Sequence, residues 1–578
     1  MLKYICEKCN GIECETSVCP ICNSRAKLEK SIIYWCENCN IPIYEEQCSL
    51  CGKKGSYIGT DMRPVFPEER LMIEIMLGEP FKYVSQSVWN AGGNNYIVNG
   101  KKIKFSIKNV MKEYDPNYIA GELQRLQEKN LEYEKNFYND LHIKKFIEAN
   151  SLRLNEISQE AMRYIQEKAK KFAENEMFVS FSGGKDSTVT SDLVMKALRR
   201  EDIIHIYGDT TLEYSTTGIY LQKFRKKYPN TPMLIAKNKE QDFNELCKVI
   251  GPPSRMMRWC CTIFKTGAIT RKIESTFRNS KNILAFQGIR RSESTARNKY
   301  DRESNDSKIA KQVVVSPIID WQEFDVWLYI ISNNVEFNDA YRQGFSRVGC
   351  WCCPNNSGWS EYLSAIYMPE KYNKFHNILI DFAKQTGKTD PINYVEDGGW
   401  KARQGGNGLE FSKNTILEVK PCALIENTYN FELNKPITKQ LYELFKPFGN
   451  LNFSIGNKRL NEVYVLNKKT NEPVLKLSGR EGQNSLKVTI VKKEGIFKEN
   501  KTSEMLIKNQ ITKYQSCIGC LACESQCRFN AIKLSNIGIE KNIEYKIDES
   551  KCVGCLNCVK HFDGGCFMKK VLRTKKEL

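Results

Sequence analysis

The chain has 578 residues, 41% of them hydrophobic and 11% aromatic, an ordinary soluble composition at a length that calls for about three to five domains. A formal net charge of +19 suits anionic nucleotides and permits RNA or DNA, while four histidines leave little room for His-centred triads. No apolar run approaches the ~18 residues of a membrane span, and Met1-Leu-Lys-Tyr-Ile-Cys6 leads straight into metal-type cysteines without an export signal, so a cytoplasmic protein with no membrane partner is expected.

Most of the 24 cysteines stand in Cys-x-x-Cys pairs, which in a reducing compartment favours metals over disulfides. Two zinc sites and three four-thiolate clusters would lower the net charge to roughly +9. Residues 1–55 hold Cys6-x2-Cys9 with Cys19-x2-Cys22, then Cys36-x2-Cys39 with Cys48-x2-Cys51. Each set of four suits one tetrahedral zinc in a ribbon-like module, with rubredoxin-like iron as the rival occupant and Cys14 as a bystander. With no ligand position left open, a folding or docking role is expected rather than catalysis. Residues 56–112 break into short β-like pieces, and Asn99-Gly100 between apolar runs signals a hairpin. This stretch bears a faint resemblance to PUA-like RNA-binding modules, and a plain β-rich spacer is the competing reading. Residues 113–174 are charged and helix-forming, and one or two long amphipathic helices are expected there.

Met177-Phe-Val-Ser-Phe-Ser-Gly-Gly-Lys-Asp-Ser187 reads as a buried strand over 178–181, a glycine-rich turn and a helix over 188–199. Gly183 and Gly184 let the backbone approach a ligand. The loop amides and helix N-terminus form an anion site to which Lys185 adds a point charge. The spacing departs from the Walker pattern. Instead, Ser182-Gly-Gly-Lys-Asp-Ser187 resembles the PP-loop of the ATP pyrophosphatase and PAPS reductase superfamily.

Ile203 to Asp209 reads as a second parallel strand ending in a carboxylate. Asp209-Thr-Thr-Leu-Glu-Tyr-Ser-Thr-Thr217 resembles the second motif of PAPS reductases, with Thr211 in place of the usual glycine. Arg258-Trp-Cys-Cys-Thr262, Gly288-Ile-Arg-Arg-Ser292 with Arg297, Ser316-Pro-Ile-Ile-Asp-Trp321 and Gly344-Phe-Ser-Arg-Val-Gly-Cys-Trp-Cys-Cys-Pro354 follow. In this order they resemble the PAPS/APS reductase family. The resemblance implies an adenylyl nucleotide, ATP or APS/PAPS, held by Ser182, Gly183, Gly184, Lys185, Asp186, Ser187, Asp209, Thr210 and Glu213. Arg290, Arg291 and Arg297 would lie near phosphate or sulfate, where a planar guanidinium suits the oxyanion. It also implies a [4Fe–4S] cluster on Cys260, Cys261, Cys350 and Cys353, with Cys352 as an alternative ligand or a sulfur carrier. Lys185, Asp186 and Cys352 carry the expected chemistry. One departure is that the reductases' Glu-Cys-Gly nucleophile is absent between 365 and 510, where Cys422 is the only cysteine. Residues 371–510 otherwise show three strand-like runs, and Lys401 to Gly408 reads as a basic loop closing over the nucleotide or as a surface turn.

Cys517-x2-Cys520-x2-Cys523-x3-Cys527, then Cys552-x2-Cys555-x2-Cys558 and a delayed Cys566, is a bacterial ferredoxin pattern over 511–570. Crossed ligation gives one cluster on Cys517, Cys520, Cys523 and Cys566 and another on Cys527, Cys552, Cys555 and Cys558. The expected architecture is a multidomain α/β protein. Its central doubly wound parallel-sheet PP-loop domain, 175–370, is flanked by zinc-ribbon and β-rich modules and by the ferredoxin tail. Expected partners are an adenylyl nucleotide, an electron donor and, in the alternative of a sulfurtransferase thiolating nucleic acid, RNA or DNA.

Overall fold

The computed structural model describes residues 4–574 except 15–18, 25, 29–31, 306–310 and 539–541. Its centre is a six-stranded sheet made of β1 (Met177–Phe181), β2 (Ile204–Asp209), β3 (Met233–Lys237), β4 (Ile283–Gln287), β5 (Glu303–Ser304) and β6 (Gln312–Val315), in the spatial order β3-β2-β1-β4-β6-β5. All neighbours are parallel except the short edge strand β5. Chain order runs outward in opposite directions from β1, so a crevice opens at the carboxyl ends of β1 and β4, where such sheets bind ligands. Phe178, Val179 and Phe181 are buried on both faces, as parallel strands covered on both sides require.

Helix α1 (Lys185–Leu198) leaves the turn after β1, with Gly184 as its N-cap. It begins three residues before the sequence-predicted start, so Lys185, Asp186 and Ser187 form its first turn. Helix α2 (Glu323–Ser332) is apolar on nearly every side and buried from Phe324 to Ile331. The charged connector forms three main helices where one or two were expected, Pro116–Asn136, Leu141–Ala149 and Ser151–Ala169. Asp140 starts the second by accepting from His142 N at 2.8 Å, and Ile157, Ala161 and Ile165 face the central core at helical spacing.

The Asn99-Gly100 turn joins paired strands Tyr96–Val98 and Lys101–Lys102 in a four-stranded sheet that ends on Arg63–Pro64. Residues 418–490 contain a six-stranded antiparallel sheet that incorporates all three sequence-predicted strands. The Lys401–Gly408 stretch lies at the surface, with Ala402, Gln404, Asn407 and Gly408 exposed, yet it is anchored from within. Lys401 and Arg403 are buried, and Arg403 Nη2 donates to the Ile250 carbonyl at 2.6 Å. Gly405, at φ +75°, lies so close to the Arg573 carbonyl that a Cβ there would sit 2.1 Å from its oxygen. Burying a guanidinium on carbonyl acceptors fixes this loop against the domain and the tail together. Among the described residues no helix is long and apolar enough to cross a membrane.

Candidate nucleotide and metal sites

The cradle after β1 is drawn together by its own side chains. Ser182 and Ser187 hydroxyls lie 3.0 Å apart, and Ser187 Oγ also donates to Gly184 O at 2.9 Å. Gly183 has φ +73°, a conformation that costs glycine little. Gly288, at the exit of β4, passes so close that an added Cβ would sit 2.4 Å from the Asp186 carbonyl oxygen. Glycine is what lets the two loops meet across the crevice.

Charges in the cradle are paired and buried. Lys185 is 3% exposed. Its Nζ donates to Ser346 O at 3.0 Å and lies 3.3 Å from Glu323 and 3.8 Å from Asp186. Burial works against its charge, but Glu323, Tyr341 and Asp186 prevail and hold it above the ordinary lysine range. Asp186 is opposed by burial and held below the usual carboxylate range by Arg290, with which it forms a short ion pair, and by Lys185. The N-terminal module supplies Asp61, whose carboxylate accepts from the backbone N–H groups of Glu323 and Phe324 at 3.0 and 2.9 Å. Burial and the nearby Glu323 push Asp61 up to about 6.

Of the three sequence-predicted arginines, Arg290 is engaged by Asp186 and Arg291 by Asp320 and the Tyr300 carbonyl. Arg297 pairs with Glu293, and burial together with the neighbouring Arg347 lowers it below the ordinary arginine range. Two guanidiniums this near each other make a place where an anion is favoured. Asp61, Glu323, Tyr341, Ser346 and Arg347 are cradle residues that sequence reasoning missed. Only Ser346 and Arg347 had a signal, since they precede the Val348-Gly-Cys350 run.

The second motif folds onto the cysteine segment. Thr210 Oγ1 donates to Glu213 at 2.7 Å and lies 3.5 Å from Cys350 Sγ. Glu213 bridges to Cys350, and Trp351 N donates to Leu212 O at 2.9 Å. Thr211, standing where the resembled motif has glycine, takes φ +65°, the left-handed conformation that glycine would adopt most cheaply. Cys260 immediately precedes a π-helical turn, Cys261–Thr266, a form concentrated at functional sites. The Cys260 thiol is pushed well up by Cys261 beside it and by burial, with Cys350 adding to the shift. Burial raises Cys350 to about 12 and also raises Cys353, and both feel Cys261. These four sulfurs from two distant segments are thus within electrostatic reach of one another, and the donor set is all thiol. Such a set fits an iron–sulfur cluster, which takes thiols as thiolates. Cys352 is buried, and burial, then Cys350 and Cys247, push its thiol up.

Two cysteine groups at the N-terminus are much tighter. Cys6, Cys9, Cys19 and Cys22 bring their sulfurs within 4.8 Å of one another, as do Cys36, Cys39, Cys48 and Cys51. Four thiols this close match the edge length of about 3.8 Å that a single tetrahedral ion with 2.3 Å bonds imposes.

The tail repeats one loop twice. Gly519 and Gly554 both have φ +70°, Leu521 and Leu556 both take left-handed backbone, and short helices, Ala522–Gln526 and Asn557–Lys560, follow. Burial raises the thiols of Cys520 and Cys566. Cys520 feels Cys566, Cys523 and Cys517, whereas Cys558 feels Cys523, Cys527 and Cys552. The delayed Cys566 is thus within electrostatic reach of the first run, and two all-thiol sets fit two clusters. The tail docks on the nucleotide domain through the Arg271–Glu524 ion pair at 3.0 Å and the Gln241 Nε2 to Ile518 O bond at 2.8 Å. Leu521 presses on Gly267, one residue beyond the π-helical turn, where an added Cβ would sit 2.8 Å from the leucine Cβ.

Family models match two stretches of the chain. Residues 176–356 match the phosphoadenosine phosphosulfate reductase domain and residues 516–561 the 4Fe-4S dicluster domain. An uncharacterised protein of Methanocaldococcus jannaschii is 31% identical over 46% of this chain, and a second from the same organism is 30% identical over 44%. The chain spans 64% and 51% of their respective lengths. An adenosine 5′-phosphosulfate reductase of Neisseria meningitidis serogroup B is 32% identical over 25% of this chain and 58% of its own length.

Proposed function

We propose that this chain, which carries a phosphoadenosine phosphosulfate reductase domain and a 4Fe-4S dicluster domain, binds an adenylyl sulfonucleotide, APS or PAPS, and reduces it to sulfite with electrons entering through its tail. Two electrons cleave the sulfur–oxygen bond of the mixed anhydride, leaving the sulfite dianion and a nucleoside phosphate that keeps the bridging oxygen. The thiols of Cys260, Cys261, Cys350 and Cys353 and the two tail sets would hold iron–sulfur clusters, which would supply one-electron transfer, and the two tight N-terminal groups would hold zinc.

The amides of Gly183, Gly184 and the first turn of α1 take the phosphate end of the anhydride. Lys185 exchanges its Ser346 carbonyl partner for a phosphate oxygen. Arg297 and Arg347 bind the second oxyanion and relieve their mutual repulsion. Asp186, locked by Arg290, keeps Lys185 charged and aimed. The observation that carries this reading is the contact of Leu521 with Gly267, because it joins the tail's first cysteine loop to the turn bearing Cys261. Cys261 in turn lies near Cys350, which touches Thr210 of the second motif.

A second reading is ATP-dependent thiolation of RNA or DNA at the same loop. It is favoured by the burial of Cys352 and by the lack of a Glu-Cys-Gly nucleophile, which leave direct thiol attack on sulfate without a candidate. Anaerobically prepared protein with a low-potential reductant separates the two. Sulfite release from APS or PAPS supports the first, and pyrophosphate release from ATP only when nucleic acid is present selects the second. Lys185→Ala lowers either activity by about 10²-fold or more; wild-type turnover in that variant would rule out both readings.

A further inference from the structure

Helix α3 (Asn500–Ser516) leads directly into Cys517, and its final turns lie against the loops of both tail cysteine sets. Asn509 Nδ2 donates to Val559 O at 3.3 Å, and Gly565 packs so tightly on Asn509 that an added Cβ would sit 2.3 Å from the Asn509 Cβ. One turn later comes Lys513, only 1% exposed. Its Nζ donates to the backbone carbonyl of Cys558 at 2.5 Å. Among the described residues no carboxylate lies within ion-pair distance of it. An ammonium buried without a counter-ion is expensive, and such lysines ordinarily give up their proton. Here Lys513 touches Cys558 of one set and stands one helical turn before Cys517 of the other, while Gly565, next to Cys566, packs on the preceding turn of the same helix. The side chain therefore stands between the two sites, where thiolates gathered on a metal would be its counter-charge.

We propose that Lys513 is the shared counter-charge of the two tail clusters and raises the reduction potential of both. A four-iron cluster on four thiolates is already anionic when oxidised and gains one further negative charge, with no bond made or broken, when it takes up an electron. A fixed positive charge in a low-dielectric interior stabilises the reduced form more than the oxidised one. Because one ammonium serves both sites, reducing one cluster uses part of the compensation available to the other. The proposal rests on the tail's dicluster reading and is independent of which sulfur substrate the nucleotide domain takes.

The test is an anaerobic, EPR-monitored redox titration of the full-length protein with Lys513→Met, Lys513→Gln and Lys513→Arg. Both neutral variants should shift both midpoints to more negative values, and arginine should return them to the wild-type range. Should the neutral variants lose iron while the arginine variant keeps it, the requirement for charge is equally shown. Unchanged midpoints in the neutral variants would overturn the proposal, as would an arginine variant that shifts or loses iron as they do. A wild-type protein without two reducible clusters in the tail overturns it as well. Absence of sulfonucleotide reduction would count against the proposed function and leave these outcomes readable.

Discussion

The unit built on Cys6, Cys9, Cys19 and Cys22 and the unit built on Cys36, Cys39, Cys48 and Cys51 gather their sulfurs equally tightly, yet they sit in the molecule very differently. The first forms a core of its own, with Cys14 and Ala26 packed among its thiols and Cys22 exposed. The second shares its core with the connector helices and α2, through Ile33, Trp35, Ile41 and Ile43. Tyr44 N donates to Asn150 at 2.8 Å, and the Arg153 guanidinium lies 4.2 Å from the Tyr44 ring centroid while forming a two-bond ion pair with Asp325 of α2. Since the first residue of α2 is Glu323, the partner of Lys185, the second unit is mechanically part of the nucleotide cradle. The same ligand spacing thus serves a self-contained knuckle in one case and a structural wall in the other.

The comparison is broken most forcefully at Cys48. Cys48→Ser should release one metal ion per chain and unfold a unit whose side chains line the central core. Structural zinc sites contribute folding free energy outright, so thermal stability and nucleotide binding should fall together. Metal analysis combined with calorimetric melting checks this. Loss of the ion with an unchanged melting temperature would show that the two units are equivalent after all.

A smaller effect is expected at Asp61, the link between the N-terminal sheet and α2. Its carboxyl titrates near 6 in the folded protein because burial and Glu323 outweigh the pull of Arg290, against about 3.9 in an unfolded chain. The folded state then binds more protons than the unfolded state between these values, so the contribution of this group falls as pH rises from about 4 to about 6. The swing is no more than about 3 kcal/mol. Asp61→Asn should flatten that part of the stability profile relative to wild type in urea titrations at pH 4.5 and 6.5. Equal slopes would remove Asp61 from the cradle's charge network.

How much of this was legible follows from where each signal lies. The β1 strand, the glycine turn and α1 are contiguous, so apolar periodicity and two glycines revealed them. The helix start was misplaced because Lys185 and Asp186 look like loop residues, yet they occupy the first turn that Gly184 caps. The two N-terminal cysteine groups were legible because their pairs come from Cys-x-x-Cys turns, whereas the delayed Cys566 has no such turn of its own. By contrast, Asp61 meets Glu323 across 262 residues of sequence, and Lys185 meets Ser346 across 161. No local pattern encodes such pairings, which exist only once the sheet order brings the loops together. The anchoring of the Lys401–Gly408 loop was invisible for the same reason, since its arginine is satisfied by the distant carbonyls of Ile250 and Pro252. The unequal roles of the two N-terminal four-cysteine units were likewise invisible, because their spacings are nearly identical and their surroundings come from elsewhere.

The smallest effect belongs to the first unit, and it is the sharpest control. Cys6→Ser removes a fully buried ligand, so the metal content should again fall by one ion per chain, as with Cys48→Ser. Among the described residues, however, the surrounding core is Cys9, Cys14, Cys19 and Ala26, a cluster separate from the one that holds the cradle's Tyr341. The main melting transition and the affinity for an adenylyl nucleotide should therefore stay within experimental error of wild type. Equal metal loss with unequal stability loss is what separates a ligand set from its embedding. A Cys6→Ser variant that weakened nucleotide binding would mean that the first unit, too, reaches the cradle.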